Sequence, residues 1–324
     1  MNAETVKQAG IPPEYLHQLS NGSYVHRGMF NTFGPNANCT LDLCSIEWSL
    51  FRYRPSLPAN SVFLALFGLA LLVHIYLGIR WRTWGFLTFM VLGCSMVMLG
   101  YGGRIMLWVN PWSFAGFMLQ IILVGSGPVW FSAAIYVTLS RAFMSSIRFL
   151  SPEIARLPPK VFYWLFICSD FICLILQAIG GALSTTSKGV SQVGVDLARA
   201  GLIIQVVILI VFCGLFADHL IRFHMLRKSK PDELKTPFGI RQKVFFGGLA
   251  SAVVLILARC AYRVEELSEG YSNSSKLADE GLFIGLEGVL IIVAVICLFF
   301  GHPGLGFGDL EDRTEHLELS SLEK

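Results

Sequence analysis

Charge is what this chain has least of. Asp, Glu, Lys and Arg make up 15% of its 324 residues, where a soluble domain carries about 25%. The deficit, with 54% hydrophobic residues and a mean hydropathy of +0.61, excludes an ordinary soluble fold and matches a polytopic membrane protein with short loops. The net charge of +3 does not point to nucleic acid, because the basic residues fall between apolar runs. Histidine is sparse and scattered. His74, His219 and His302 stand singly near the ends of apolar runs, and His17, His26, His224 and His316 lie outside them. A zinc site needs several inward histidines, so no metal is expected. No Gly-x-x-x-x-Gly-Lys-Ser/Thr occurs; the stretch from Gly181 to Lys188 has the wrong spacing, and the loops hold no nucleotide domain. No Gly-x-Ser-x-Gly occurs either. The chain is therefore not expected to be an enzyme or to carry a cofactor. The first 60 residues have no apolar core of a cleavable leader. No amide-rich or proline-rich repeat and no duplicated transporter half is apparent.

What the chain has in abundance is long apolar runs. Seven are placed at Ser61–Ile79, Trp84–Val109, Phe114–Leu139, Val161–Leu183, Gly201–Leu220, Val244–Tyr262 and Gly281–Phe300. Each is near the ~20 residues that cross a ~30 Å hydrocarbon core. Backbone polar groups in hydrocarbon must be satisfied internally, so the fold class is all-α, with seven transmembrane helices. Three parts follow: an N-terminal segment, 1–60; a membrane domain, 61–304; and an acidic tail, 305–324. Lys and Arg set the orientation. One side of the spans collects thirteen, in the stretches Arg80–Arg82, Arg141–Lys160 and Arg222–Lys243; the other has Lys188, Arg199, Arg263 and Lys276. The N-terminus is expected outside and the C-terminus in the cytosol, although Arg52 and Arg54 precede the first span against this bias.

Asn21-Gly-Ser23, Asn38-Cys-Thr40 and Asn273-Ser-Ser275 are glycosylation sequons on the expected outer side. Cys39 and Cys44 are the two of eight cysteines outside the spans and their ends, and an oxidising compartment permits a disulfide between them. The other six are dispersed in apolar helix, where cysteine behaves as a small hydrophobe.

Several polar residues sit where hydrocarbon disfavours them. Asp170 is near the middle of the fourth span, with Gln177 two helical turns later on the same face. A carboxylate at that depth costs roughly 2.5–3.5 kcal/mol, so it faces the bundle interior, pairs, or is protonated. Either a buried helix–helix hydrogen bond or a site explains it. Glu280 and Glu287 repeat the spacing on the seventh span. Arg259, Arg263 and Glu266 share one face of the sixth, and Arg104 ends the second. Snorkelling accounts for an arginine taken singly. Six charges from three helices at one depth also fit a single polar cavity opening outward. Such a cavity receives the head of an amphipathic molecule, and Asp170 and Glu287 favour a cationic amine there. A proton-coupled cycle through Asp170 or Glu287 is an option for its energy source.

A set of blocks then falls in order along the chain. Cys39-Thr-Leu-Asp-Leu-Cys44 and Tyr53-Arg-Pro-Ser-Leu-Pro-Ala-Asn60 precede the first span, and Gly100-Tyr-Gly-Gly-Arg104 ends the second. Gln120, Pro128, Tyr136 and Arg141 follow, then Asp170, Gln177, Gly180 and Gly181, then Gln205 and Phe212. Last come Arg259, Tyr262-Arg-Val-Glu-Glu266, Glu280, Glu287 and His302-Pro-Gly304. Together they resemble the fungal lipid-translocating exporter family, which includes aminocholesterol-resistance proteins and sphingoid long-chain base exporters. The resemblance runs from about Cys39 to Gly304. One departure is Ile284, where members usually carry an aromatic. The resemblance implies seven spans, an outer N-terminus, and export of sphingoid bases or toxic amphipathic compounds toward the outer leaflet. The expected location is the plasma membrane, and the expected partner a membrane lipid or amphipathic small molecule rather than nucleic acid. A seven-helix lipid sensor is the alternative. Arg104, Gln120, Tyr136, Asp170, Gln177, Arg259, Arg263, Glu266, Glu280 and Glu287 are the candidate substrate-binding residues.

Overall fold

The computed structural model of the chain describes residues 12–149, 159–186, 192–229, 240–268 and 277–306. The sequon at Asn273, the loop residues Arg156, Lys188, Lys230, Lys235 and Lys276, and the tail from residue 307 lie outside them. Seven helices are long and apolar enough to cross a membrane. α1 is Leu57–Arg80, α2 Trp84–Val109, α4 Pro159–Thr186, α5 Gln192–Ser229 and α6 Ile240–Ser268. α3 begins as Phe114–Leu119, widens into a π turn at Gln120–Val124, and continues as Gly125–Phe149. α7 opens at Glu280–Leu282, widens likewise at Phe283–Val289, and ends with Leu290–Phe300. The apolar runs are thus found as helices, with ends displaced. α5 is displaced at both ends, running Gln192–Ser229 rather than Gly201–Leu220, and is 38 residues long. At a 1.5 Å rise it spans about 57 Å, nearly twice the hydrocarbon core. A helix ends where its capping ends, not where the bilayer does.

Consecutive helices pack side by side, and α7 returns to α1 as well as α6. α3 is the most enclosed of the seven. The core is aromatic: Phe67, Phe86, Phe131, Tyr136, Phe212 and Phe245 are almost wholly buried. The outer faces carry exposed Leu69, Leu72 and Tyr76 on α1 and Val207 and Ile210 on α5, as lipid-facing surfaces do. Hydrophobicity does not drive helices together within hydrocarbon, so close backbone approach does, and glycine permits it. A Cβ on Gly180 of α4 meets the Ala198 nitrogen of α5 at 2.5 Å, and one on Gly103 of α2 meets the Gly116 oxygen of α3 at 2.8 Å. Gly180→Ala is expected to lower stability by about 1–3 kcal/mol through overpacking. Gly181→Ala, whose Cβ has nothing within 4 Å, is expected to be neutral or mildly stabilising. Thermal unfolding in detergent compares them; equal effects would remove the close-approach argument.

Residues 12–56 form a cap over one end of the bundle. β1 (Leu16–Gln18) pairs antiparallel with β2 (Tyr24–His26), His17 opposite Val25. A disulfide joins Cys39 to Cys44, and both pack with Trp48 and Trp112 in a small core. Trp48 Nε1 donates to the Glu14 carbonyl at 3.0 Å. Arg54 Nε donates to the Trp108 carbonyl at 2.7 Å, and its guanidinium lies 4.3 Å over the Trp108 ring, tying the cap to the end of α2. Asn21 and Asn38 are exposed on this cap.

Candidate functional site

The two π turns prepare the site. A π turn inserts one residue and shifts the backbone bonding, so carbonyls at its end are offered sideways. Val124 closes the α3 turn and Gly125 follows it. Arg259, from α6, reaches both: Nη2 donates to the Val124 carbonyl at 3.3 Å and Nη1 to that of Gly125 at 3.4 Å. Glu287 lies within the α7 turn, and its Oε2 accepts from Arg259 Nε at 3.0 Å and Nη2 at 2.8 Å. Both side chains are about 1% exposed. Arg263, one turn along α6, lies 3.8 Å from Glu287 Oε1 and pairs with Glu266. Four charges from α6 and α7 therefore form one neutral chain, Arg259–Glu287–Arg263–Glu266.

Arg104 belongs to a second group. Its Nε donates to Asn60 Oδ1 at 2.8 Å and Nη2 to the Tyr53 hydroxyl at 3.1 Å. Its guanidinium lies 3.7 Å over the Phe283 ring and 3.6 Å from Glu280 Oε1. Burial raises the Tyr53 phenol, and the adjacent Arg104 opposes the rise. Glu280 also accepts from the Ser56 amide at 2.6 Å, while Asp279 caps α7 through Gly281 and Leu282. This group ties the cap, α1, α2 and α7 together.

A third group lies deeper. The Tyr136 hydroxyl donates to Asp170 Oδ2 at 2.9 Å, joining α3 to α4. Gln177 Nε2 donates to Gln205 Oε1 at 2.8 Å, and Gln205 Nε2 reaches the Cys260 sulfur at 3.9 Å, linking α4, α5 and α6. Gln120 is buried in the α3 π turn, its Oε1 without a partner. The one chamber expected from the sequence thus divides into separate groups. The reason is electrostatic: in a dry interior each carboxylate finds its own donor before any ligand arrives.

A cavity of about 290 Å³ opens among α2 to α6. Arg259, Arg263 and Gln177 are the candidate residues that line it; Arg104, Gln120, Tyr136, Asp170, Glu266, Glu280 and Glu287 do not. Its mouth lies between α3 and α4, where Ile122, Phe171 and Ile175 are exposed. The remaining wall is apolar, including Ile121, Leu174, Leu202 and Leu267, with Ser126 and Trp130 from α3. An apolar slot with a few convergent polar groups is the usual form of a small-molecule site. Trp130 was not singled out in the sequence, because an aromatic on an apolar helix looks the same whether it faces lipid or a cavity. Gln205 carries no charge and stood only within the family pattern. Among the described residues, no group of three or more His, Cys, Asp or Glu is placed to hold a metal.

Residues 90–309 match the family model described as RTA1 like protein. The sphingoid long-chain base transporter RSB1 of Saccharomyces cerevisiae is 27% identical, over 78% of this chain and 73% of that protein. Protein RTA1 of the same yeast is 25% identical, over 78% and 85%. A probable lipid transporter, atnI, of Emericella nidulans is 24% identical, over 79% and 68%. No solved structure matches the chain.

Proposed function

We propose, from the premise that the chain belongs to the RTA1 like protein family, that it carries an amphipathic lipid across the bilayer, with the slot between α3 and α4 as the route. The observation that carries this reading is the cavity itself. Its apolar mouth opens between α3 and α4, where Ile122, Phe171 and Ile175 are exposed, and its wall bears Arg259, Arg263 and Gln177. A lipid enters sideways, its head against those groups and its tail left in hydrocarbon. The names of the relatives, a sphingoid long-chain base transporter and a probable lipid transporter, support sphingoid bases or similar toxic amphipathic compounds as cargo. In this reading the protein is not an enzyme: it moves its cargo unchanged. The cap faces outward at the plasma membrane, supported by the thirteen-to-four bias of basic residues, and movement runs toward the outer leaflet. Exposed Asn21 and Asn38 then lie on the glycosylated side. An N-glycan-removing enzyme should shift the mobility of the expressed protein; no shift, with the cap labelled only from the cytosol, would reverse the orientation.

The deciding experiment reconstitutes purified protein into liposomes and follows a labelled sphingoid base between leaflets. Movement above that in empty liposomes is expected. Saturable binding with no movement would replace transport by the lipid-sensor reading.

A further inference from the structure

The cavity wall has a one-sided chemistry. Among the described residues, its charged lining residues are Arg259 and Arg263, and no carboxylate lines it. Glu287 and Glu266 stand behind the arginines, engaged with them. Of the five N–H donors of a guanidinium, Arg259 commits four, two to Glu287 and one each to the carbonyls of Val124 and Gly125. One of the two Gln177 amide hydrogens is given to Gln205, and the Ser126 hydroxyl to the Leu123 carbonyl. Trp130 also lines the slot, and its Nε1 is a buried donor without a partner. Its ring is held between Phe89, with centroids 6.3 Å apart, and Phe171 at 6.2 Å. Phe171 is half exposed at the mouth. An indole nitrogen can only donate, and a buried donor left unpaired is costly.

We propose that this slot recognises its lipid through oxygen atoms of the head group, hydroxyl or phosphate, and not through an amine. The proposal rests on the transport reading above and names the chemistry that the same cavity selects. The charged part of the wall is basic, and the Trp130 indole is a donor without a partner, so a head-group oxygen suits both. An ammonium brings only donors and meets two cations with no carboxylate in the wall. Where the lipid also carries a nitrogen, that group stays toward the Gln177 carbonyl or the mouth. A site built to hydrogen-bond an oxygen rejects an analogue lacking it far more strongly than an apolar slot rejects a change of chain length.

The test uses the full-length protein and four single-chain lipids of equal length: a sphingoid base, its phosphate ester, a neutral alkane diol, and a plain alkylamine. Competition binding and liposome flux are measured for each. The three oxygen-bearing lipids are expected to compete, with the diol and the phosphate ester telling which kind of oxygen is preferred. The alkylamine is expected to bind at least about tenfold more weakly. Trp130→Phe, which keeps the ring stacking, should weaken the oxygen-bearing lipids roughly three- to tenfold and leave the alkylamine unchanged. Equal binding of the alkylamine and the sphingoid base overturns the inference while transport stands. Oxygen-selective binding without flux supports it and overturns transport. Absence of binding by any of the four overturns both.

Discussion

Glu287→Gln unfolds the bundle more readily than any exposed charge change. The substitution keeps the shape of the side chain and removes its charge, leaving Arg259 about 1% exposed with no counter-ion. Removing one member of a buried pair costs about 3–5 kcal/mol, because the survivor is an uncompensated charge in a poor solvent for it. Arg259→Met is expected to be worse still. It strands Glu287 and also removes the donors that the carbonyls of Val124 and Gly125 accept. The double variant Arg259→Met with Glu287→Met should recover much of either loss, since an apolar pair of similar volume removes both charges together. Arg222, whose pairing with Asp218 is about one-third exposed on both sides, provides the contrast. Surface pairs of that kind contribute about 0–1 kcal/mol. Thermal unfolding in detergent measures all four. Additive losses in the double variant would mean that Arg259 and Glu287 act independently, against the geometry.

Leu174→Trp closes the slot without harming the fold. Leu174 is half-buried on α4 and lines the cavity, so an indole there grows into existing space. Filling a cavity is commonly neutral to stabilising by about 0.5–2 kcal/mol, so the melting temperature should hold or rise. Lipid flux in liposomes should fall roughly tenfold or more, a rise of about 1.4 kcal/mol or more in the barrier to passage. Ile79→Trp is the matched control: Ile79 is exposed on α1, away from the cavity. Unchanged flux in Leu174→Trp, with the fold intact, would show that lipid takes another path. The two predictions separate cleanly, one changing stability through charge and the other rate through volume.

Much of the fold was legible before any coordinate. Apolar runs of bilayer length admit one backbone solution, so seven helices follow from composition and length. The suspicious side chains were legible too, since an ionisable group in such a run is expensive wherever it points. Their partners were not. Arg259, Arg263 and Glu266 are a helical face by spacing, but nothing in that spacing says that Glu287 lies between the two arginines. Depth along the spans puts Arg104 and Arg259 in one chamber, yet Arg104 turns to Asn60, Tyr53 and Phe283. The π turns left no sequence signal, because a π turn is one residue of slack that packing imposes on an ordinary helix.

What the sequence by itself determined is the solvent, the number of crossings and the short roster of side chains that need partners there; each follows from transfer free energies that belong to residues one at a time. Only the tertiary structure decided which acid neutralises which base, that the carboxylates withdraw behind the arginines, and that an apolar slot with Trp130 in its wall opens between α3 and α4. Those are relations between helices distant along the chain. Such relations depend on how closely glycines let two backbones approach and on which pairing satisfies most buried groups at once, and neither quantity exists until the helices have met.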